Sequence, residues 1–326
     1  RLCYQGKRSM GALEFVPAQD NYLELSTGLE IKTLIETARE VLDEKKKLDV
    51  NLNVDTKEAV ANIIRVGTSA GGQRAKAVIA YNETTGDIRS GQIEAPDGFS
   101  HWLIKLDGVT NNELGDPKHY GRIEYVYYLM ARDAGIDMSE CRLIEENGRA
   151  HFMTKRFDRV NGNEKLHMQT LCGMAHYDYK MIHAYSYEQV FQVMRRLRLS
   201  YSDAEQMFRR MVFNVVARNQ DDHTKNISFL MDRQGKWSLS PAYDVSWAYN
   251  PKGIWTSNHQ MSINNKSDEI TRDDLLSVAR NVNIKHADQI IDQVIESVSH
   301  WPDLAKEYGI PDDIEKAINS TLLLDM

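Results

Sequence analysis

The sequence predicts an α+β protein in two lobes, strand-rich in its first half and helix-rich in its second. Three observations support this. Short extended stretches bounded by glycine or polar turns collect before about Phe157. After it, apolar residues recur at i, i+3, i+4 spacing, the period of a helix with one buried face. The chain's 326 residues, 42% hydrophobic and 27% charged, suffice for two lobes of ordinary globular composition.

The elements follow in order. Residues 1–18 read as a hairpin: Leu2 to Tyr4, a turn at Gly6, then Ala12 to Val16, closed by Pro17. Helices are predicted over Ile31–Lys46 and Asp55–Arg65, the first carrying Leu34, Ile35, Ala38 and Val41 on one face. A glycine-rich turn, Gly67 to Gly72, leads into a strand at Ala77–Tyr81. His101–Leu106 reads as a strand and His119–Ala134 as a helix. Strands at Arg142–Glu145 and Ala150–Phe157 flank an Asn147-Gly148 turn of hairpin type. The helical half opens with Tyr187–Leu197. Ser202–Arg218 comes next, with a capping box at Ser202 to Glu205 and a stripe of Met207, Phe208, Met211, Val212, Val215 and Val216. Two short strands, Ile227–Met231 and Lys236–Leu239, turn at Gly235. Arg272–Leu324 reads as three or four helices, with Ile290, Ile291, Val294, Ile295 and Val298 on one face. The domain division is 1–18, 19–157 and 158–326.

Composition narrows the class. No apolar run approaches the roughly eighteen residues that span a bilayer, which excludes a membrane-embedded protein. The net charge of −7 opposes direct binding to nucleic acid, which needs a positive field. Arg195, Arg196 and Arg198 read as a solvated face. Cys3, Cys141 and Cys172 are sparse, odd in number and without a CxxC pair, which fits reduced thiols and a cytoplasmic location. The first residue is Arg1, so the chain reads as a fragment of a longer one or a processed product.

The sharpest chemical signal is the block Asn219-Gln220-Asp221-Asp222-His223-Thr224-Lys225-Asn226, directly after the long core helix. Asp221 and Asn226 have the D-x-x-x-x-N spacing by which protein kinases place a catalytic Asp and a metal-binding Asn. Asp221 would orient a hydroxyl and take its proton; Asn226 would offer a neutral oxygen to Mg²⁺. Asp244, in Tyr243-Asp244-Val245 behind the two strands, supplies a second metal donor. The competing reading is turn chemistry, which Asn and Asp also favour. The small residues of Gly67–Lys76 could cradle phosphate, or form a plain turn. Lys105 sits in the apolar run HWLIKL, where an unpaired ammonium is costly, and Glu124 on the next helix could position it. The alternatives are a snorkelling lysine and a surface glutamate.

With these motifs in order, the chain resembles the HipA family of toxin kinases. The family stretch N-x-D-x-H-x-K-N is matched by Asn219, Asp221, His223, Lys225 and Asn226. Y-D-I/V is matched by Tyr243-Asp244-Val245, I-K-L/F by Ile104-Lys105-Leu106, and R-F-D-R by Arg156 to Arg159. S-x-G-G/A is matched by Ser69-Ala70-Gly71-Gly72. The resemblance implies a two-lobed kinase-like fold with an all-helical C-lobe, and ATP- and Mg²⁺-dependent phosphorylation of protein serine or threonine. Ala70, Gly71, Gly72, Gln73, Arg74, Ala75 and Lys105 would hold the phosphates, and Lys155, Arg156 and Phe157 the adenine. His223, Thr224, Lys225, Asn226, Tyr243 and Asp244 would complete the nucleotide site, with Asn226 and Asp244 on metal. Thr68 or Ser69 would be autophosphorylated. Implied partners are a translation component such as an aminoacyl-tRNA synthetase as substrate, a helix-turn-helix antitoxin, and DNA only through that antitoxin. Only the last hairpin of the family's N-terminal subdomain is matched, at Met10 to Leu13. Two other readings remain: a small-molecule phosphotransferase of the aminoglycoside type, and a silenced corepressor-like module.

Overall fold

Lys76–Tyr81 (β1) lies in a five-stranded antiparallel sheet in the computed structural model, which describes residues 6–7, 9–17, 76–108, 119–146 and 148–326. Its other strands are Ile88–Ser90 (β2), Ser100–Lys105 (β3), Cys141–Glu146 (β4) and Arg149–Lys155 (β5), in the order β2-β1-β3-β5-β4. Central strands are buried on both faces and therefore read as continuous apolar runs. Ala77, Ile79, Ala80, Trp102 and Ile104 are all fully buried. Two short strands, Arg159–Val160 (β6) and Glu164–Lys165 (β7), form a separate ribbon. The chain divides into two compact units, 1–122 with 140–167, and 123–139 with 168–326.

The helix Tyr120–Asp133 (α1) begins against β5. A Cβ at Gly121 would stand 2.0 Å from the Ala150 carbonyl oxygen, so only glycine permits that approach. The second unit is helical in bulk: Leu171–Ala175 (α2), Tyr187–Arg196 (α3), Tyr201–Val216 (α4), Arg272–Val282 (α5), Ala287–Ser299 (α6), Trp301–Glu307 (α7) and Asp312–Asn319 (α8). It is not all-helical. His167–Thr170 (β8), Ser228–Met231 (β10) and Trp237–Leu239 (β11) form a three-stranded sheet, and Tyr185–Ser186 (β9) pairs in parallel with Met261–Ser262 (β12). A chain that must return to one site after a long helix does so here through a hairpin, turned at Gly235 with φ +79°.

The core of this unit is built on α4. Phe208, Met211, Val212, Val215 and Val216 are fully buried, as the apolar stripe predicts, and Phe213, outside that stripe, is fully buried as well. The buried Tyr127 of α1 meets Phe213 and Trp301 edge-on and donates its hydroxyl to the Ala217 carbonyl at 2.7 Å. Burial pushes that hydroxyl's pKa well up.

Several local expectations shift. The capping box sits two residues earlier than the sequence pattern suggests: Ser200 accepts from Asp203 N, and the Asp203 carboxylate accepts from Ser200 N. Ser200-x-x-Asp203 and Ser202-x-x-Glu205 both fit the pattern, and the extended backbone at Ser200 makes it the cap. Ala12 to Val16 forms no strand among the described residues; Phe15 N donates to Gly6 O at 3.2 Å. β5 ends at Lys155, before Phe157. The hairpin residues Leu2 to Tyr4, the helices expected at 31–46 and 55–65, and the glycine-rich turn 67–75 lie outside the described residues, as does Asn147.

Candidate functional site

Helix α4 delivers the chain to the loop. Its buried apolar face fixes the helix, and Arg218 then turns the backbone sharply with φ +56°. Contacts with residues 248–257 hold the loop from its first residues. Ala248 N donates to Arg218 O at 3.1 Å, and Gln220 N donates to Ala248 O at 3.1 Å. The Gln220 amide, with its nitrogen facing the Thr256 and Ser257 carbonyls, donates to both, at 3.0 and 3.3 Å. The Arg218 guanidinium lies over the Tyr249 ring at 4.1 Å.

The loop then closes on itself. Asn226 Nδ2 donates to the Asp221 carbonyl at 2.9 Å, and Asn226 N donates to His223 O at 2.9 Å. The two ends of the D-x-x-x-x-N spacing are thereby joined. The Asp221 carboxylate is about half exposed, and the His223 imidazole stands 3.8 Å from it. Asp244 comes after β11 in the left-handed region, φ +57°, which an Asp tolerates better than most side chains. The Tyr243 hydroxyl donates to the Lys225 carbonyl at 2.6 Å and contacts Ser228 Oγ. Burial raises the pKa of that hydroxyl, against a lowering hydrogen bond from Ser228, so it stays protonated.

His223, Asn226, Tyr243 and Asp244 line one cavity of about 30 Å³, close to the volume of a single water. Arg210 lines it from α4 and donates to the Ser240 carbonyl at 2.7 Å. Its pKa is depressed to about 10 by burial, which leaves it charged at neutral pH. Two predicted nucleotide residues turn elsewhere. Thr224 is buried and donates to Tyr177 O at 2.8 Å; Lys225 places its ammonium 3.6 Å over the Tyr179 ring. Tyr179 also meets His223 edge-on at 5.5 Å. Tyr179 was not legible in the sequence, because nothing in its neighbourhood patterns with a loop 42 to 46 residues on.

The remaining candidates lie in the first unit, apart from Glu124, which is buried on the α1 segment of the second. Lys105 ends β3, is 6% exposed, and holds its ammonium 5.6 Å over the Phe152 ring. Lys155 pairs with Glu83 at 2.9 Å. The Arg156 guanidinium is committed to Asp158 and to the Met10 carbonyl. The backbone N–H groups of Lys155 and Arg156 donate to Glu140 and His101 carbonyls. Phe157 is half-buried just past the strand. The candidate metal donors are one carboxylate and one amide oxygen, and among the described residues no three His, Cys, Asp or Glu side chains form a metal-holding group. That donor set fits Mg²⁺, which takes one or two carboxylates and fills its octahedron with phosphate and water. Among the described residues no helix is long and apolar enough to cross a membrane.

Comparison with known proteins places the chain. The model of the HipA-like C-terminal domain matches residues 68–301, more than half of the chain. Two Sinorhizobium fredii proteins, each named "Putative kinase", are 26% identical over 152 residues and 25% identical over 216. The matches cover 44% and 61% of this chain, and 33% and 50% of those proteins, so the chain spans half or less of these curated relatives. In structure the chain is similar to a component of the Shewanella oneidensis complex of HipA, HipB and operator DNA, with a TM-score of 0.64 at 17% identity. That match covers 95% of this chain and 72% of the other.

Proposed function

Because the chain belongs to the HipA-like C-terminal domain family, we propose that it is an ATP- and Mg²⁺-dependent serine/threonine protein kinase. The observation that carries this is the closed loop from Asp221 to Asn226, with Asn226 and Asp244 lining the same cavity. Asp221 has the exposure a base needs: it orients a substrate hydroxyl and accepts its proton as the oxygen bonds to the γ-phosphorus of ATP. The bond from that phosphorus to the β–γ bridging oxygen breaks, and ADP leaves. Asn226 and Asp244 would hold Mg²⁺, which when bound would offset phosphate charge. Lys105, with Glu124 as its positioning partner, is the candidate for the α and β phosphates; Lys155, Arg156 and Phe157 remain candidates for the adenine end. The loop 70–75 would cover the phosphates, with Thr68 or Ser69 as the autophosphorylation site.

The toxin role, a substrate in translation, a helix-turn-helix antitoxin, indirect contact with DNA and a cytoplasmic location belong to the same reading. The HipA–HipB–DNA assembly to which the fold is similar supports it. Incubation with γ-labelled ATP and cell lysate tests the activity. Asp221→Asn should retain fold and nucleotide binding and lose transfer by about 10² to 10⁴-fold. Undiminished labelling by that variant would remove Asp221 from the mechanism.

A further inference from the structure

Beside the half-exposed Asp221 stands a carboxylate with the opposite surroundings. The Asp222 side chain is 1% exposed. Three donors converge on it: Tyr187 Oη and His259 Nδ1 to Oδ2, both at 2.9 Å, and Gln260 N to Oδ1 at 2.7 Å. The Tyr187 oxygen itself accepts from Asn214 Nδ2 at 2.9 Å, so its proton points to Asp222. Asn214 Oδ1 in turn accepts from Asn219 Nδ2 at 2.9 Å. The chain of donors therefore runs in one direction, from Asn219 through the core helix back to Asp222.

The chemistry at this point is restrictive. A carboxylate accepts from three donors without presenting an N–H of its own; an amide cannot. His259 is likewise 1% exposed and holds its proton on Nδ1 toward Asp222, since Nε2 has no partner among the described residues. The bond to Gln260 N extends the brace further. Gln260 O accepts from His183 N at 3.1 Å, and its side-chain amide donates to the Trp255 carbonyl. Segments 35 residues before Asp222 and 37 to 38 after it thus meet on one side chain.

We infer that Asp222 is a positioning residue: through Tyr187, His259 and Gln260 it fixes the loop so that the neighbouring Asp221 faces one way. The inference rests on the kinase reading for its consequence in turnover, and on the hydrogen bonds alone for its mechanical part. Asp222 touches neither substrate nor phosphate in this scheme. Its loss lowers turnover by misplacing a base, an effect that reaches about 10²-fold for a displacement near 1 Å.

The test uses Asp222→Asn, His259→Ala and His259→Asn, the last returning an N–H near the Nδ1 position. Asp222→Asn and His259→Ala should lower kcat for ATP turnover about 10- to 10²-fold with KM for ATP within about twofold, and His259→Asn should recover most of that loss. Wild-type kcat in Asp222→Asn, a rise in KM matching the fall in kcat, or an equal loss in both His259 variants overturns the assignment. Hydrogen exchange of the nucleotide-free protein supplies the second readout. Peptides covering 219–226 and 257–262 should exchange faster in Asp222→Asn, with the rest of the chain unchanged; equal protection overturns the brace. A wild-type protein that turns over no ATP overturns the kinase reading and the catalytic half of this proposal, while the exchange result still decides the mechanical half.

Discussion

Asp158 and Asp222 are both buried carboxylates in conspicuous motifs, and the two units satisfy their oxygens by different means. Asp158 is gripped by two cations: Arg156 reaches it through Nε at 2.9 Å and Nη2 at 2.7 Å, and Arg159 at 2.8 Å, all three side chains less than a tenth exposed. Burial lowers the pKa of Arg159, and Arg156 adds to the lowering while Asp158 opposes it. Asp222 meets a phenol, an imidazole and a backbone N–H instead. The cationic solution surrounds one carboxylate with two guanidinium groups, a net positive cluster, and fixes the end of the R-F-D-R motif. The hydrogen-bonded solution brings no cation to Asp222 among the contacts described, and Asp222 lines the same cavity as Asp244. The same side chain serves as structural ion-pair partner in one unit and as an acceptor hub in the other. Both units bury further titratable groups, His101, Lys105, Asp107 and His151 in the first and Glu124, Arg210, His259 and Asp274 in the second, and the second adds the apolar residues of α4 and its helix caps.

The contrast can be broken most severely at Asp158. Asp158→Ala leaves two buried guanidinium groups uncompensated, and should cost about 3–5 kcal/mol in urea unfolding, with hydrogen exchange rising around 156–166. A loss below that of an ordinary surface substitution would show that solvent reaches the pair.

The second way is through pH. His151 is fully buried, its Nδ1 accepting from Asp107 N at 2.9 Å. Burial, with Arg149 adding to it, lowers its pKa to about 4. An unfolded histidine titrates near 6.5, so below that value the unfolded chain binds the extra proton and the fold loses stability as pH falls toward 4. Between pH 7.5 and 5 this one group should withdraw about 2 kcal/mol. His151→Asn should flatten the pH dependence of unfolding by that amount. An unchanged slope would place the imidazole in contact with water.

The smallest effect sharpens the other side of the comparison. Ser200→Ala should cost about 1 kcal/mol through loss of the α4 cap, and the exposed Ser202→Ala less than about 0.5 kcal/mol. Reversal of that order in thermal unfolding would return the cap to the register suggested by the sequence.

Much of this was legible in the residues. The apolar runs of β1 and β3 and the stripe of α4 identify themselves, because burial on two faces or one imposes its own period. The block Asn219 to Asn226 and the later Asp244 stood out because a spacing in sequence is also a spacing in a closed loop. The cap of α4 lies two residues from its expected place because two serine-led patterns overlap there, and only the backbone dihedrals at Ser200 choose between them. β2, β6 and β7 are two or three residues long, too short to show a period.

The sequence by itself determined the features that depend on near neighbours: element type, the buried face of α4, and the residue types and order of the candidate loop. Only the tertiary structure decided which acidic residue of Asp221-Asp222 faces water and which is enclosed. The two are chemically identical, and local propensity cannot tell them apart. The choice is made by Tyr187, His259 and Gln260, whose donors must find an acceptor once buried and find it in Asp222.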